Sequence, residues 1–279
     1  MRDGRARGAG LARRLRRNLV VVAAMGGLAY LLLPNLVVVA LSFNQPEGRY
    51  NYQWRRFSLD AWTHPCAAAG VCDSLLLSLR IAAWATLAAT VLGTLTAFAV
   101  TRYRFRGKTA ANALILLPMA MPEVVMGASL GTLFLNMGIE FGAPTILIAH
   151  ITFGLSFVVV AVKARLAGMD PHLEEAARDL YASLPQTFLR VTLPTAAPGI
   201  GAGALLCFAL SFDDFVITNF NSGAAVTFPM YVWGAAQRGI PVQVYVIGTA
   251  MFVVALLIAL SSVALRPRGG RGSGGGGPL

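Results

Sequence analysis

Six long apolar runs, separated by short polar stretches, set the pattern of this chain. They cover roughly residues 19–42, 75–100, 110–137, 143–163, 195–217 and 242–265. Each has at least the length of about 20 residues that a helix needs to cross the hydrocarbon of a bilayer. Lipid offers no partner to a free backbone N–H or C=O, so such runs predict helices. No ten-residue segments of alternating polarity suggest an outer-membrane barrel. The pattern predicts an all-α, polytopic membrane helical bundle of six transmembrane helices. Composition agrees: 56% of residues are hydrophobic and 13% charged, against about 25% charged in soluble domains. Mean hydropathy is +0.65.

The first run follows "RARGAGLARRLRRN". A basic stretch before an apolar one can mark a signal peptide, and "RRLRRNL" has a trace of a twin-arginine signal. The run is too long for either, and no small-x-small site ends it. The reading is a retained first helix with a basic cytoplasmic tail over residues 1–18. Six spans place both termini on one side, and lysines and arginines say which. With the tail inside, the inner segments hold Arg2, Arg5, Arg7, Arg13, Arg14, Arg16 and Arg17, then Arg102, Arg104, Arg106 and Lys108. Lys163, Arg165, Arg178 and Arg190 follow, and lastly Arg266, Arg268 and Arg271. Outside lie only Arg49, Arg55, Arg56 and Arg238, with Arg80 near the outer end of span two. This predicts a multi-pass protein of the inner (plasma) membrane with both termini cytoplasmic. It also accounts for the net charge of +11 through membrane lipid and topology, without nucleic acid. The tail 266–279, "RPRGGRGSGGGGPL", is low-complexity and reads as disordered. Cys66 and Cys72 share one polar loop, where a local disulfide and two thiols are equally open; Cys207 falls in an apolar span.

One polar segment interrupts the apolar pattern on the inside, the loop 164–194. Asp170 can cap a helix there, Pro171 fits its first position, and Glu174 and Glu175 suit the positive end of its dipole. Ser183 and Gln186 have capping-box spacing for a second short helix, with Pro185 near its start. Ala176, Ala177, Leu180 and Leu184 make one side apolar. Such a helix pair either lies flat on the membrane or plugs into a groove on a soluble partner.

The segment "EEAARDLYASLPQTFLRVTLPTAAPGI" resembles the EAA loop of permease subunits of binding-protein-dependent ABC importers. Glu175, Ala176, Ala177, Val191, Leu193 and Pro194 match the pattern E-A-A-x-x-x-G, nine residues, I/V-x-L-P. Its glycine position, where the family's chain turns between two short helices, is Tyr181. The resemblance covers most of the chain and implies a type I ABC importer permease-like fold. It narrows to the second permease subunit of spermidine/putrescine transporters through "LPMAMPEVVMGASLGTLF", "LSFDDFVIT" and "TFPMYVWGAAQRGIPVQVYVIGTAMFV". The first two stretches are shared loosely with permeases for ferric iron, phosphonates, thiamine and opines. The implied partners are two cytoplasmic ATP-binding subunits, a second permease in a heterodimer and an extracytoplasmic substrate-binding protein. The ATPase-coupling residues it implies are Glu174, Glu175, Ala176, Ala177, Asp179, Leu180, Tyr181, Leu184 and Pro194.

Ionisable groups within spans are costly and tend to be functional. Glu123 falls about 20 Å along span three and Asp213 and Asp214 about 25 Å along span five, at about 1.5 Å per residue. Neighbouring helical residues point about 100° apart, so at most one aspartate faces a central pathway squarely. A polyamine, with ammonium groups along a flexible chain, suits spaced carboxylates and aromatics such as Phe212, Phe215 and Tyr231. The alternative is structural, with Arg80 paired to Asp213 or Asp214. Gly127 and Gly131, and Gly199 and Gly203, have small-xxx-small spacing for close helix packing. "GASLG" also matches G-x-S-x-G, but mid-span, with no strand before it.

No ATP-binding G-x-x-x-x-G-K-[ST] loop occurs; "RFRGKT" lacks the first glycine. His64, His150 and His172 lie on three separate segments and form no metal constellation. Neither cofactor, metal nor catalytic group is predicted. A secondary transporter would carry its own ion site and usually an internal repeat, and a membrane scaffold would not need carboxylates within spans.

Overall fold

The computed structural model describes residues 3–48, 50–170 and 172–264, with side chains from 18 to 261. The tail 266–279, Pro171 at the predicted helix start and Arg49 lie outside the described residues. Two compact units are present: Met1–Ala69 with Gln237–Leu279, and Gly70–Ala236.

In the first unit α1 (Asp3–Leu41) continues the first span back through the basic tail. The loop that follows is folded around two buried asparagines. Asn44 donates to Asn51 Oδ1 (2.6 Å) and the Gln53 carbonyl (2.8 Å), while its own oxygen accepts from Arg55 N (2.7 Å). Phe43 stacks between Phe57 and Trp62. A short α2 (Asp60–Thr63) closes the loop. The last helix among the described residues, Val242–Ala264, packs on α1: Val38 lies against Gly248, and the Tyr245 hydroxyl donates to the Asn51 carbonyl at 3.1 Å.

The second unit opens with α3 (Val71–Arg102), which fits span two. Span three is not one helix. It is α4 (Lys108–Ala120) and α5 (Glu123–Asn136), bent by 108° at Met121–Pro122. The cause is local: Pro122 disfavours the helical region for its predecessor, and Met121 is extended at ψ 142°. Next come α6 (Ala143–Ala167), the loop helices α7 (His172–Asp179) and α8 (Leu184–Thr187), a π-helical turn over Phe188–Thr192, and α9 (Leu193–Asp213). Span five also ends earlier than the apolar pattern suggests. Asp214 is extended (ψ 122°), and a separate α10 (Val216–Asn221) follows. Then come α11 (Phe228–Arg238) and α12, the Val242–Ala264 helix of the first unit. Among the described residues five helices are long and apolar enough to cross a membrane, or six with the bent pair as one span.

The core of the second unit is the packing of α3, α6 and α9. α6 is the most enclosed span. Val158, Val159 and Val162 meet Ala89, Ala97 and Phe98 on one side and Ala196 and Cys207 on the other. Small residues allow the approach. A Cβ at Gly203 would sit 3.2 Å from Ala161 Cβ, and one at Gly199 would collide with Arg165. Gly127 and Gly131 likewise admit α10, so both predicted glycine pairs serve helix contacts. Cys66 and Cys72 are both disulfide-bonded, and Cys207 is a free buried thiol.

Candidate functional site

The polar loop between α6 and α9 forms the two predicted short helices. Asp170 Oδ1 accepts from His172 N at 3.0 Å, and Gln186 Oε1 accepts from Ser183 N at 2.9 Å. Between them α7 ends in a Schellman motif: Ala182 N donates to Ala177 O (3.1 Å) and Tyr181 N to Arg178 O (2.9 Å). Tyr181 occupies its left-handed position at φ 62°, the only non-glycine with positive φ among the described residues. The turn that glycine serves in the related pattern is thus kept, at a cost of about 1 kcal/mol of backbone strain.

The loop has two faces. Outward point Leu180, Tyr181 and Leu184, which are 81%, 97% and 68% exposed. Glu175, Ala176, Asp179 and Pro194 are exposed too, and Ala177 is half-buried. Inward points Glu174, whose side chain is 17% exposed. It ion-pairs with Arg102 at the end of α3 and accepts from Thr192 Oγ1 (2.9 Å) in the π-helical turn. Phe188 of that turn packs edge-on against Phe98 of α3, 5.1 Å between centroids. Glu174 thus faces the bundle, while its neighbour Glu175 faces away.

The intramembrane carboxylates separate into three situations. Glu123 starts α5 after the bend and is exposed, so the depth expected from an unbroken span does not apply. Asp214, at 4% side-chain exposure, is enclosed by donors. Its oxygens accept from Ile217 N (3.2 Å), Thr218 N (2.7 Å), Thr218 Oγ1 (2.7 Å) and His150 Nε2 (3.2 Å). An ionised carboxylate only accepts, so His150 carries its proton on Nε2; a neutral ring then accepts from Ser211 at Nδ1 (2.7 Å). Asp214 caps α10 and ties it to α6. Arg80, the partner considered from sequence, is exposed and makes no ion pair among the described residues.

Asp213 turns the other way. It is exposed and lines a cavity of about 470 Å³ with Phe212 and Phe215 from its own segment and Phe228, Val232 and Trp233 from α11. Tyr231 is not in this lining; its ring lies 3.7 Å from where a Cβ would stand at Gly70. Neither is Glu123. Sequence reasoning missed His150, Ser211, Thr218, Trp233 and Arg102. Ser211, Asp214 and Thr218 recur at helical spacing, a signal that could have marked one polar face. Nothing local marks His150, more than 60 positions upstream, as their partner.

The bundle has the fold of chains in solved ABC transporters. A chain of a bacterial transporter that imports the acidic polysaccharide alginate superposes with a TM-score of 0.67 at 16% identity, over 91% of this chain and 96% of that one. One from the MetNI methionine transporter, in an inward-facing conformation, gives 0.56 at 14% identity, over 70% and 92%. Residues 89–268 match the family described as binding-protein-dependent transport system inner membrane component. The chain belongs to this family and is a multi-pass inner-membrane permease. It is similar to the spermidine/putrescine transport system permease protein PotC of Haemophilus influenzae, 37% identical over 85% of this chain and 93% of that protein. PotC of Escherichia coli K12 is 35% identical over 84% and 88%. The putrescine transport system permease protein PotI of the same strain is 36% identical over 82% and 84%.

Proposed function

We propose that this chain is the second permease subunit of a polyamine ABC importer, forming with a different permease the path by which spermidine or putrescine enters the cell. The observation that carries the substrate is the similarity to permeases of two polyamine systems over more than four fifths of their lengths. The protein itself performs no chemistry; ATP-binding subunits supply the energy. They dock on the outward face of α7 and α8, and the exposed Leu180, Tyr181 and Leu184 support this reading, because an apolar helix face fills a groove on a soluble partner. Glu175 and Asp179 flank that face, and a binding protein delivers the polyamine from outside. Both termini are cytoplasmic, as the placement of basic residues indicates. The contact of the end of α1 with the start of α12 supports termini on one side.

The test is uptake of labelled spermidine and putrescine by vesicles holding this chain with its partner subunits, with and without ATP. Ferric iron, a phosphonate and thiamine serve as competitors. ATP-dependent polyamine uptake is the expected result. Transport of a competitor instead would remove the polyamine assignment and keep the importer; uptake without ATP would remove the importer.

A further inference from the structure

Four basic residues, Arg102, Arg104, Arg106 and Lys108, fall where α3 ends and α4 begins. No Asp or Glu occurs between Asp73 and Glu123, so no carboxylate of the same segment neutralises them. Arg102 is engaged by Glu174 of α7. Arg104 and Arg106 are exposed and make no hydrogen bond or ion pair among the described residues. Lys108 donates to the Tyr103 carbonyl at 3.1 Å and keeps further ammonium protons free. The segment has a defined course: Tyr103 leaves α3 in an extended conformation (ψ 147°), and Gly107, at φ 88°, turns the chain into α4.

Between the basic side chains stand two aromatic ones, Tyr103 and Phe105, which are 69% and 45% exposed. The two helices they join are apolar and open outward. Trp84, Leu87, Val91 and Leu95 form an exposed stripe at helical spacing on α3, and Leu114 and Leu117 continue it on α4, which has no buried residue. The basic turn therefore stands at the rim of an apolar surface fit for the bilayer. A soluble polyanion would use the basic groups and leave both rings in water. An anionic phospholipid uses everything present. Its phosphate accepts from guanidinium N–H groups in pairs, and aromatic rings settle at headgroup level. The negative potential of the inner leaflet draws basic clusters that directly follow a span.

We propose that Arg104, Arg106 and Lys108, with Tyr103 and Phe105, form a headgroup site for an anionic phospholipid of the inner leaflet. This rests on the cytoplasmic placement of the turn in the reading above and is independent of the transported substrate. Arg104 closely follows Arg102, whose side chain holds Glu174. A bound headgroup fixes the end of α3 to the membrane surface on one side while Arg102 ties it to α7 on the other. Lipid occupancy thereby steadies the contact between the loop helices and the spans.

The test uses the complete transporter in proteoliposomes of phosphatidylcholine with a rising fraction of phosphatidylglycerol, a trace of which carries a photoactivatable diazirine near its headgroup. In the wild type the photolabel is expected on residues 103–108, and uptake of radiolabelled spermidine per ATP hydrolysed should rise several-fold with phosphatidylglycerol. Arg104→Gln with Arg106→Gln should lower labelling of that segment about five-fold per arginine removed and flatten the uptake response. Arg104→Lys with Arg106→Lys should keep most of both. Co-purification of the ATP-binding subunits shows whether each variant complex is assembled. If the glutamine variant does not assemble, the wild-type label and its competition by unlabelled phosphatidylglycerol decide. Label absent from 103–108, or equal label from a phosphatidylcholine probe, overturns the site. Label that appears only once the ATP-binding subunits are removed also overturns it and assigns the turn to those subunits. An equal uptake response in wild type and assembled glutamine variant overturns the link to the loop helices. Labelling reads headgroup binding in either orientation, whereas an active alkaline phosphatase fused after Gly107 would be the separate failure of the topology. Absence of spermidine uptake in the wild type is a failure of the polyamine reading, and labelling then decides the site alone.

Discussion

Asp213 and Asp214 are neighbours in sequence with opposite surroundings, and the contrast sets what each substitution does. Asp214 is buried with His150, and removing one partner of a buried hydrogen bond leaves the other unsatisfied. Asp214→Asn keeps the shape but loses the charge facing Nε2 and weakens the cap of α10. A loss of about 1–3 kcal/mol is expected, read as a lower unfolding temperature of the purified complex in detergent. An unchanged temperature would show that the pair does not hold α6 to α10. Tyr181 carries the corresponding lesson for backbone. The sequence shows a tyrosine where the family pattern has glycine, and the structure meets the same left-handed requirement with a strained tyrosine. Its ring, 97% exposed, adds area to the outward face.

At the scale of elements, α7 is connected to the bundle through Glu174, which reaches both α3 and the π-helical turn leading into α9. A push on the outward face of the loop therefore has two routes into the spans. The partly exposed Arg102–Glu174 pair contributes little stability, within about 1 kcal/mol. If the loop couples to ATP-binding subunits as proposed, the effect of this pair belongs to transmission. Arg102→Ala and Glu174→Gln are each expected to leave the ATP-binding subunits bound and hydrolysing while uptake per ATP falls several-fold, and the charge swap Arg102→Glu with Glu174→Arg should restore part of it. Equal coupling in wild type and variants would exclude this route. The bends of spans three and five are elements too, and their signals were present: Pro122 after Met121, and an aspartate pair followed by Thr218. Hydropathy averages over such breaks because the apolar composition continues through them.

For the whole molecule, the distribution of basic residues predicts one orientation. A fluorescent protein fused after the last residue should fluoresce, an alkaline phosphatase there should be inactive, and phosphatase fused after Arg56 should be active. The reverse pattern would invert the topology and place the loop helices outside. The family followed from the resemblance of the loop segment to a known motif, whereas the apolar runs, their helical nature and the capped loop helices followed from the sequence pattern alone. These properties depend on composition, periodicity and spacing within single segments, and one chain displays those directly. What only the tertiary structure decided was which polar groups meet. It joined His150 to Asp214 and Arg102 to Glu174, left Asp213 open in an aromatic cavity and moved Tyr231 out of it. Those outcomes depend on helices brought together by packing across 60 or more intervening residues, and on backbone breaks that turn adjacent side chains apart.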